Sequence, residues 1–285
     1  MFKKGNSLMV QSRQGRGLTS ERMPDDFAAE DVYRRFYEAY ANAAPELDPV
    51  EESRIEETVT HLPPGCMNAL DVGCGIGRLL SRLKRRCACA GADISFGALR
   101  RSQMKNVCVQ ALIQSLPFAS KSFDAVLCTE VLEHIPEDLF PKAIAELRRV
   151  ARKYILISVP NRENLLEKMA LCGACGLTFH RYGHLRSFNP ENLATLFQPM
   201  QLVEQWEMGF PEVVWSRFLL RARSTAGLSS VSAAAPCPAC GNAQAETPTY
   251  LRGLVQKGCD FLQWRMAARF MRRPYWLGAL FADGS

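Results

Sequence analysis

The 285-residue sequence lacks any run of about 18 consecutive apolar residues, the length a helix needs to span a bilayer, so it offers no membrane-spanning helix. Its first twenty residues, MFKKGNSLMVQSRQGRGLTS, lack the apolar core of a secretory leader, and the expected location is cytoplasmic. No internal repeat is present, which excludes solenoids and propellers. Charge of one sign is not concentrated anywhere: the net +6 is modest and spread along the chain, so no nucleic-acid partner is expected. The eleven cysteines lack the short, secreted setting of a disulfide framework and read as reduced thiols, some of them on metal.

What is present is enough chain for one α/β domain of about 200 to 250 residues with appendages. Residues 1–24 are polar and aperiodic and are expected to be disordered. From 25 to about 61 the spacing of Phe27, Val32, Phe36, Tyr37 and Tyr40, then of Ile55 and Val59, predicts two leading helices broken at Pro45 and Pro49. Apolar runs then alternate with helical segments: Asn68 to Val72, Leu79 to Arg85, Cys87 to Ala92, Phe96 to Met104, Asn106 to Ala111, Phe123 to Cys128, Leu139 to Val150 and Tyr154 to Val159. Such alternation implies a parallel sheet with helices on both faces. A helix from Pro190 to Phe197, capped by Asn189, precedes a strand at about Leu202 to Trp206, and Tyr275 to Phe281 supplies a last strand.

The motif that carries chemistry lies in ALDVGCGIGRLL. Gly73, Gly75 and Gly77 follow an apolar strand and precede a helix, where backbone must approach a ligand and a side chain would obstruct it. A dinucleotide fingerprint needs its third glycine at 78, which is Arg, so the spacing disfavours a nicotinamide cofactor. Asp93, about 20 residues on in AGADIS, ends the next strand, where open sheets place a carboxylate on ribose hydroxyls.

Through DVGCGIG, ADIS, LPF, FDAVLCTEVLEHI and ILISVPN, in that order, residues from about 65 to 210 resemble the type 11 class I S-adenosylmethionine-dependent methyltransferases. The resemblance implies a Rossmann-like seven-stranded sheet, mostly parallel with an antiparallel last strand. It further implies S-adenosylmethionine contacts from Asp71, Gly73, Cys74, Gly75 and Gly77, with Asp93 on the ribose, Ile94 against adenine and Glu130 beside the cofactor. The family usually has Asp at the position of Leu112; with Leu there, either the backbone near Leu112 and Ile113 recognises adenine or the affinity is weakened. The implied organisation is a methyltransferase domain over 25–210 with a Cys-bearing insertion at about 161–187, a second insertion over 211–274, and the last strand from 275.

A sulfonium donor already makes its methyl group electrophilic, so the protein mainly aligns the acceptor and excludes water. For a hydroxyl acceptor a base helps. His134, after the fourth strand, and His180 and His184, in FHRYGH after the fifth, are the candidates; their alternative is a hydrogen-bonded structural role. The expected acceptor is a small molecule or a lipid- or carrier-linked metabolite, and the competing reading is a scaffold that binds cofactor or zinc without turnover.

Cys172 and Cys175 (CGAC) and Cys237 and Cys240 (CPAC) form two CxxC turns, the ligand pattern of structural zinc, although 61 residues separate them. In the resembled fold the insertions after strands five and six emerge side by side, which would let the turns meet, with His180 or His184 as reserve ligands. CGACGLTFHRYGHLRSF is also similar to a segment found there in methyltransferases of that family. The alternative is ordinary thiols, as Cys66, Cys74, Cys87, Cys89, Cys108, Cys128 and Cys259 are read. SSVSAAAP reads as a linker, and CDFLQWRMAARFMRRPYW mixes basic and aromatic residues in a way that admits a peripheral membrane contact, or a helix packed on the sheet.

Overall fold

The computed structural model describes residues 10–11, 20–21, 37–38, 49–214, 219, 237–242, 250–267 and 272–284. Contacts divide the chain into two units, one of Ala44–Glu163, Arg186–Phe210 and Pro274–Ser285, the other of Met1–Ala43, Asn164–Leu185 and Pro211–Arg273.

The first unit is built on a seven-stranded sheet. Its strands are β1 (Asn68–Val72), β2 (Ala88–Asp93), β3 (Cys108–Gln110), β4 (Phe123–Thr129), β5 (Ala151–Pro160), β6 (Gln201–Val213) and β7 (Arg272–Ala282), in the spatial order β6-β7-β5-β4-β1-β2-β3. β1, β2, β3, β4 and β5 pair in parallel, and β7 runs antiparallel to β5, with Leu280 opposite Leu156. Five successive residues of β4 and six of β5 are buried. Central parallel strands covered on both faces read as continuous apolar runs for this reason, and not as alternation.

Around the sheet lie α1 (Pro49–Thr60), α2 (Arg78–Leu83), α3 (Phe96–Arg101), α4 (Phe140–Val150) and α5 (Pro190–Ala194). Ser95 caps α3 by accepting the Ala98 amide, and Asn189 with Asn192 closes a reciprocal capping box on α5. Leu79, Leu80 and Leu83 of α2 join Ile55 and Val59 of α1 in one core with Ala69, Leu127 and Leu156 of the strands. At the edge, two glycines admit two tryptophans: a Cβ on Gly278 would lie 2.2 Å from the Trp206 ring, and one on Gly209 would lie 2.5 Å from the Trp276 ring.

Several bounds differ from the pattern. β5 starts at Ala151, because Arg152 and Lys153 are exposed side chains that turn back to the buried Asp124 carboxylate. β6 runs through Gly209 and Pro211 to Val213, since an edge strand tolerates both residues. β3 is only three residues long and follows a 3₁₀ turn, Lys105–Val107. α5 stops at Ala194, short of Phe197.

In the second unit, Met169–Leu171 and Thr178–His180 pair antiparallel around the first CxxC turn, and α6 (Tyr250–Ala267) is the long helix. Val10–Gln11 pairs antiparallel with Ser20–Glu21. The expected first leading helix falls outside the described residues apart from helical 37–38, and the Ser/Ala-rich linker falls outside them entirely. No described helix is long and apolar enough to cross a membrane.

Candidate functional site

The turn between β1 and α2 is held against the end of β2: the Gly73 and Cys74 amides both donate to the Ala92 carbonyl, at 2.7 and 3.2 Å. Gly73, Gly75 and Gly77 all have positive φ, of 82°, 53° and 83°, a region that costs other residues strain. Their surroundings differ. A Cβ on Gly73 would lie 2.2 Å from Val131 Cγ2, and one on Gly77 would lie 2.6 Å from Ser102 Oγ, whereas one on Gly75 would meet nothing within 4 Å. A side chain at Gly73 or Gly77 would thus collide with protein, and of the three only Gly75 has its Cβ direction facing open volume.

Asp93 closes this turn. Its Oδ2 accepts the Gly75 amide and its Oδ1 accepts the Ser95 amide, each at 2.7 Å. A carboxylate has about four acceptor sites, so two such bonds orient Asp93 without exhausting it. Asp71, at the end of β1, is buried, and burial together with the neighbouring Asp93 charge raises its carboxyl to about 7, with Arg54 of α1 acting against the rise. Cys74, buried under the turn, has its thiol pushed far up by the same burial and by Asp71, so it serves as an apolar side chain and not as a nucleophile.

At the end of β3, Gln110 donates to the Ile94 carbonyl at 3.0 Å, and Leu112 and Ser115 form a one-bridge turn with Ile113 buried in it. No carboxylate occurs between 110 and 115.

Glu130 follows β4 with φ of 56°, its amide donating to the Ser158 carbonyl. Its carboxylate accepts from Ser158 Oγ at 3.0 Å and from Trp276 Nε1 at 2.7 Å, while the Arg54 guanidinium lies 5.4 Å from the Trp276 ring centroid. Glu133, in the 3₁₀ turn Leu132–His134, is fully buried, and burial followed by the Glu130 charge holds its carboxyl far above the ordinary range. His134 Nε2 lies 3.7 Å from Glu133 Oε1. Asp93 and Glu130 thus place carboxylates at the carboxyl ends of β2 and β4, with Asp71 and the protonated Glu133 beside them, an arrangement suited to a cationic ligand. Arg54 and Trp276, which no motif in the chain marks, belong to this group.

In the second unit, His180 and His184 are both buried, their rings stacked with centroids 4.6 Å apart, and His180 Nδ1 accepts the His184 amide at 3.1 Å. The four CxxC thiols also converge there: Cys172 and Cys240 are 3.6 Å apart at sulfur, as are Cys175 and Cys237.

Residues 70–156 match the family model described as a methyltransferase domain. The chain is 35% identical over 101 residues to an uncharacterized protein of Methanocaldococcus jannaschii, covering 35% of this chain and 43% of that one. It is 32% identical over 161 residues to a ubiquinone biosynthesis O-methyltransferase of Xanthomonas axonopodis pv. citri, covering 53% and 65% of the two. It spans less than two thirds of the length of these relatives. Among solved structures, a SAM-dependent methyltransferase of Archaeoglobus fulgidus shares the fold, with a TM-score of 0.50 at 17% identity over 82% of this chain and 93% of that one.

Proposed function

We propose that this chain, whose residues 70–156 form a class I S-adenosylmethionine-dependent methyltransferase domain, moves a methyl group from that cofactor to a hydroxyl of a small or carrier-linked acceptor. The observation that carries the reading is the open volume at Gly75 beside the doubly anchored Asp93 carboxylate. The residues present fit the cofactor. Asp93 offers acceptors to a ribose diol, Gly75 leaves room for backbone contact, and the Glu130 carboxylate suits its cationic end.

When bound, the cofactor supplies a methyl group made electrophilic by its sulfonium. The chain's own contribution is alignment, exclusion of water and removal of the acceptor proton. His134, beside Glu133, is the proposed base in the first unit, with His180 and His184 as alternatives in the second. The choice of a hydroxyl rests on the named activity of the relatives at 32% identity.

A lipid-linked acceptor is favoured by α6. Leu254, Lys257, Phe261, Leu262 and Arg265 all lie exposed on one helical face, mixing apolar and basic side chains as a helix resting on an anionic bilayer does.

Incubating the purified chain with cofactor and a series of phenolic acceptors, short-chain and prenylated, tests the proposal. Formation of S-adenosylhomocysteine together with a methyl ether is the expected result. Leu112 favours the second reading, a scaffold without turnover; cofactor binding with no product from any acceptor would support that reading instead.

A further inference from the structure

We infer that Cys172, Cys175, Cys237 and Cys240 hold one zinc ion, which staples the segment 237–242 to the hairpin turn of residues 172–177.

The sulfur positions are the first ground. The four Sγ atoms lie within 4.8 Å of one another, and two of the pairs, one sulfur from each turn, are 3.6 Å apart. A tetrahedron of thiolates with zinc–sulfur bonds of about 2.3 Å has edges of about 3.8 Å. Disulfides require about 2.05 Å between sulfurs, so neither cross-turn pair is bonded. Four sulfurs from positions 62 to 68 residues apart thus occupy the corners of a site sized for a metal ion.

The backbone is the second ground, and it is independent of the sulfurs. The two turns are built alike. Gly176 donates its amide to the Cys172 carbonyl at 2.9 Å, and Gly241 donates to the Cys237 carbonyl at 2.8 Å. Cys172 donates to the Leu177 carbonyl and Cys237 to the Asn242 carbonyl, both at 2.8 Å. Gly176 and Gly241 take positive φ, 74° and 71°, and a Cβ on either would touch nothing, so the backbone angle explains the glycine in each case.

This conformation aims amides at sulfur: those of Ala174 and Cys175 at Cys172, those of Ala239 and Cys240 at Cys237, and that of Leu177 at Cys175. A neutral thiol accepts weakly and has little use for paired donors. A tetrathiolate site carries two net negative charges, which such donors offset. The same loop built twice, facing itself across four sulfurs, is accounted for by a shared ion. Among the described residues, only Cys172, Leu177 and Cys237, with Phe179 against them, form the apolar cluster around these loops.

Two ions suit four thiolates, zinc and iron; zinc is assigned because two CxxC turns supplying a closed four-thiolate set are the ligand pattern of structural zinc, and elemental analysis separates the two. Binding displaces the thiol protons, one from each cysteine still protonated.

The test uses the full chain purified under reducing conditions from zinc- and iron-supplemented medium. Elemental analysis is expected to give about one zinc per chain, released when a mercurial reagent blocks the four thiols. Apo-protein given cobalt(II) should show the strong visible bands of a tetrahedral tetrathiolate. Cys175→Ser and Cys240→Ser, at the two exposed ligands, should each lose most of the zinc and alter the cobalt bands while retaining S-adenosylmethionine binding, which reports on the other unit and shows that the variant is folded. A parent without metal that fails to take up cobalt, a parent loaded with iron, or variants that keep a full zinc complement would each overturn the assignment.

Discussion

Asp93 Oδ2 accepts the Gly75 amide at 2.7 Å, so the carboxylate at the end of β2 and the one glycine of the β1–α2 turn that faces open volume are joined directly. Ser95 donates to the other oxygen, which leaves the carboxylate set in place by backbone on both sides. A group oriented in advance loses less freedom when a ligand arrives, and its contact with that ligand is correspondingly stronger.

The three glycines of the turn should separate by experiment. Gly75→Ala is expected to cost only the strain of a left-handed alanine, about 1 to 2 kcal/mol, while weakening cofactor binding about tenfold or more. Gly73→Ala adds a collision with Val131, so its loss in urea melts should exceed that of Gly75→Ala by about 1 to 3 kcal/mol. Equal destabilisation at the two positions would contradict the distinction between ligand-facing and protein-facing glycines.

Asp71 makes stability depend on pH in a definite direction. Its carboxyl is raised from 3.8 to about 7 in the folded state, chiefly by burial, so folding favours its protonated form. That preference is complete below the unfolded value and is lost as pH rises through about 7, at a cost of at most about 4 kcal/mol by linkage. Asp71→Asn, which cannot ionise, should therefore gain stability relative to the parent between pH 4 and pH 8, as read from urea melts across that window. A difference between parent and variant that stays constant over the window would show that Asp71 does not titrate there.

Trp276 donates to Glu130 at 2.7 Å, and Glu130 sits in a left-handed conformation. Trp276→Phe keeps the ring but removes the donor, and is expected to cost about 1.5 to 3 kcal/mol, typical of a hydrogen bond to a charged group. Glu130→Gln should lower the coupling between positions 130 and 276 in a double-mutant cycle, and complete additivity would remove the bond from the account.

Much of this was legible in the chain. The order of strands and helices, the glycine turn and the carboxylate of Asp93 follow from local pattern, because apolar period and chain reversal are short-range properties. What could not be read depends on residues far apart. Gly73 needs Val131 opposite it and Gly278 needs Trp206, and neither partner is marked by spacing. Arg54 enters the site from a leading helix with no motif, and Trp276 enters from the last strand. The start of β5 is not marked by apolar pattern for a related reason: Arg152 is polar yet continues the strand, since its target is Asp124 on the neighbouring strand β4. The two CxxC turns announced themselves by spacing, but their convergence across 61 intervening residues is a property of the fold.

The exposed face of α6 gives a lipid-linked acceptor a measurable consequence. The parent should co-sediment with vesicles containing anionic phospholipid and do so less at high salt, since the basic contribution is screened. Phe261→Ser with Leu262→Ser should reduce the bound fraction several-fold, each large apolar side chain contributing about 1.5 to 3 kcal/mol when buried. Equal sedimentation of parent and double variant would exclude this face from membrane contact.

Calorimetric titration of the parent chain and of Asp93→Ala with S-adenosylmethionine tests the central claim most directly. The parent is expected to bind about one cofactor per chain, and the variant to bind it about 10- to 100-fold more weakly, the loss of a charge-assisted contact of roughly 1.5 to 3 kcal/mol. A folded parent that takes up no cofactor, or a variant that binds as tightly as the parent, would contradict the assignment of this turn as the cofactor site.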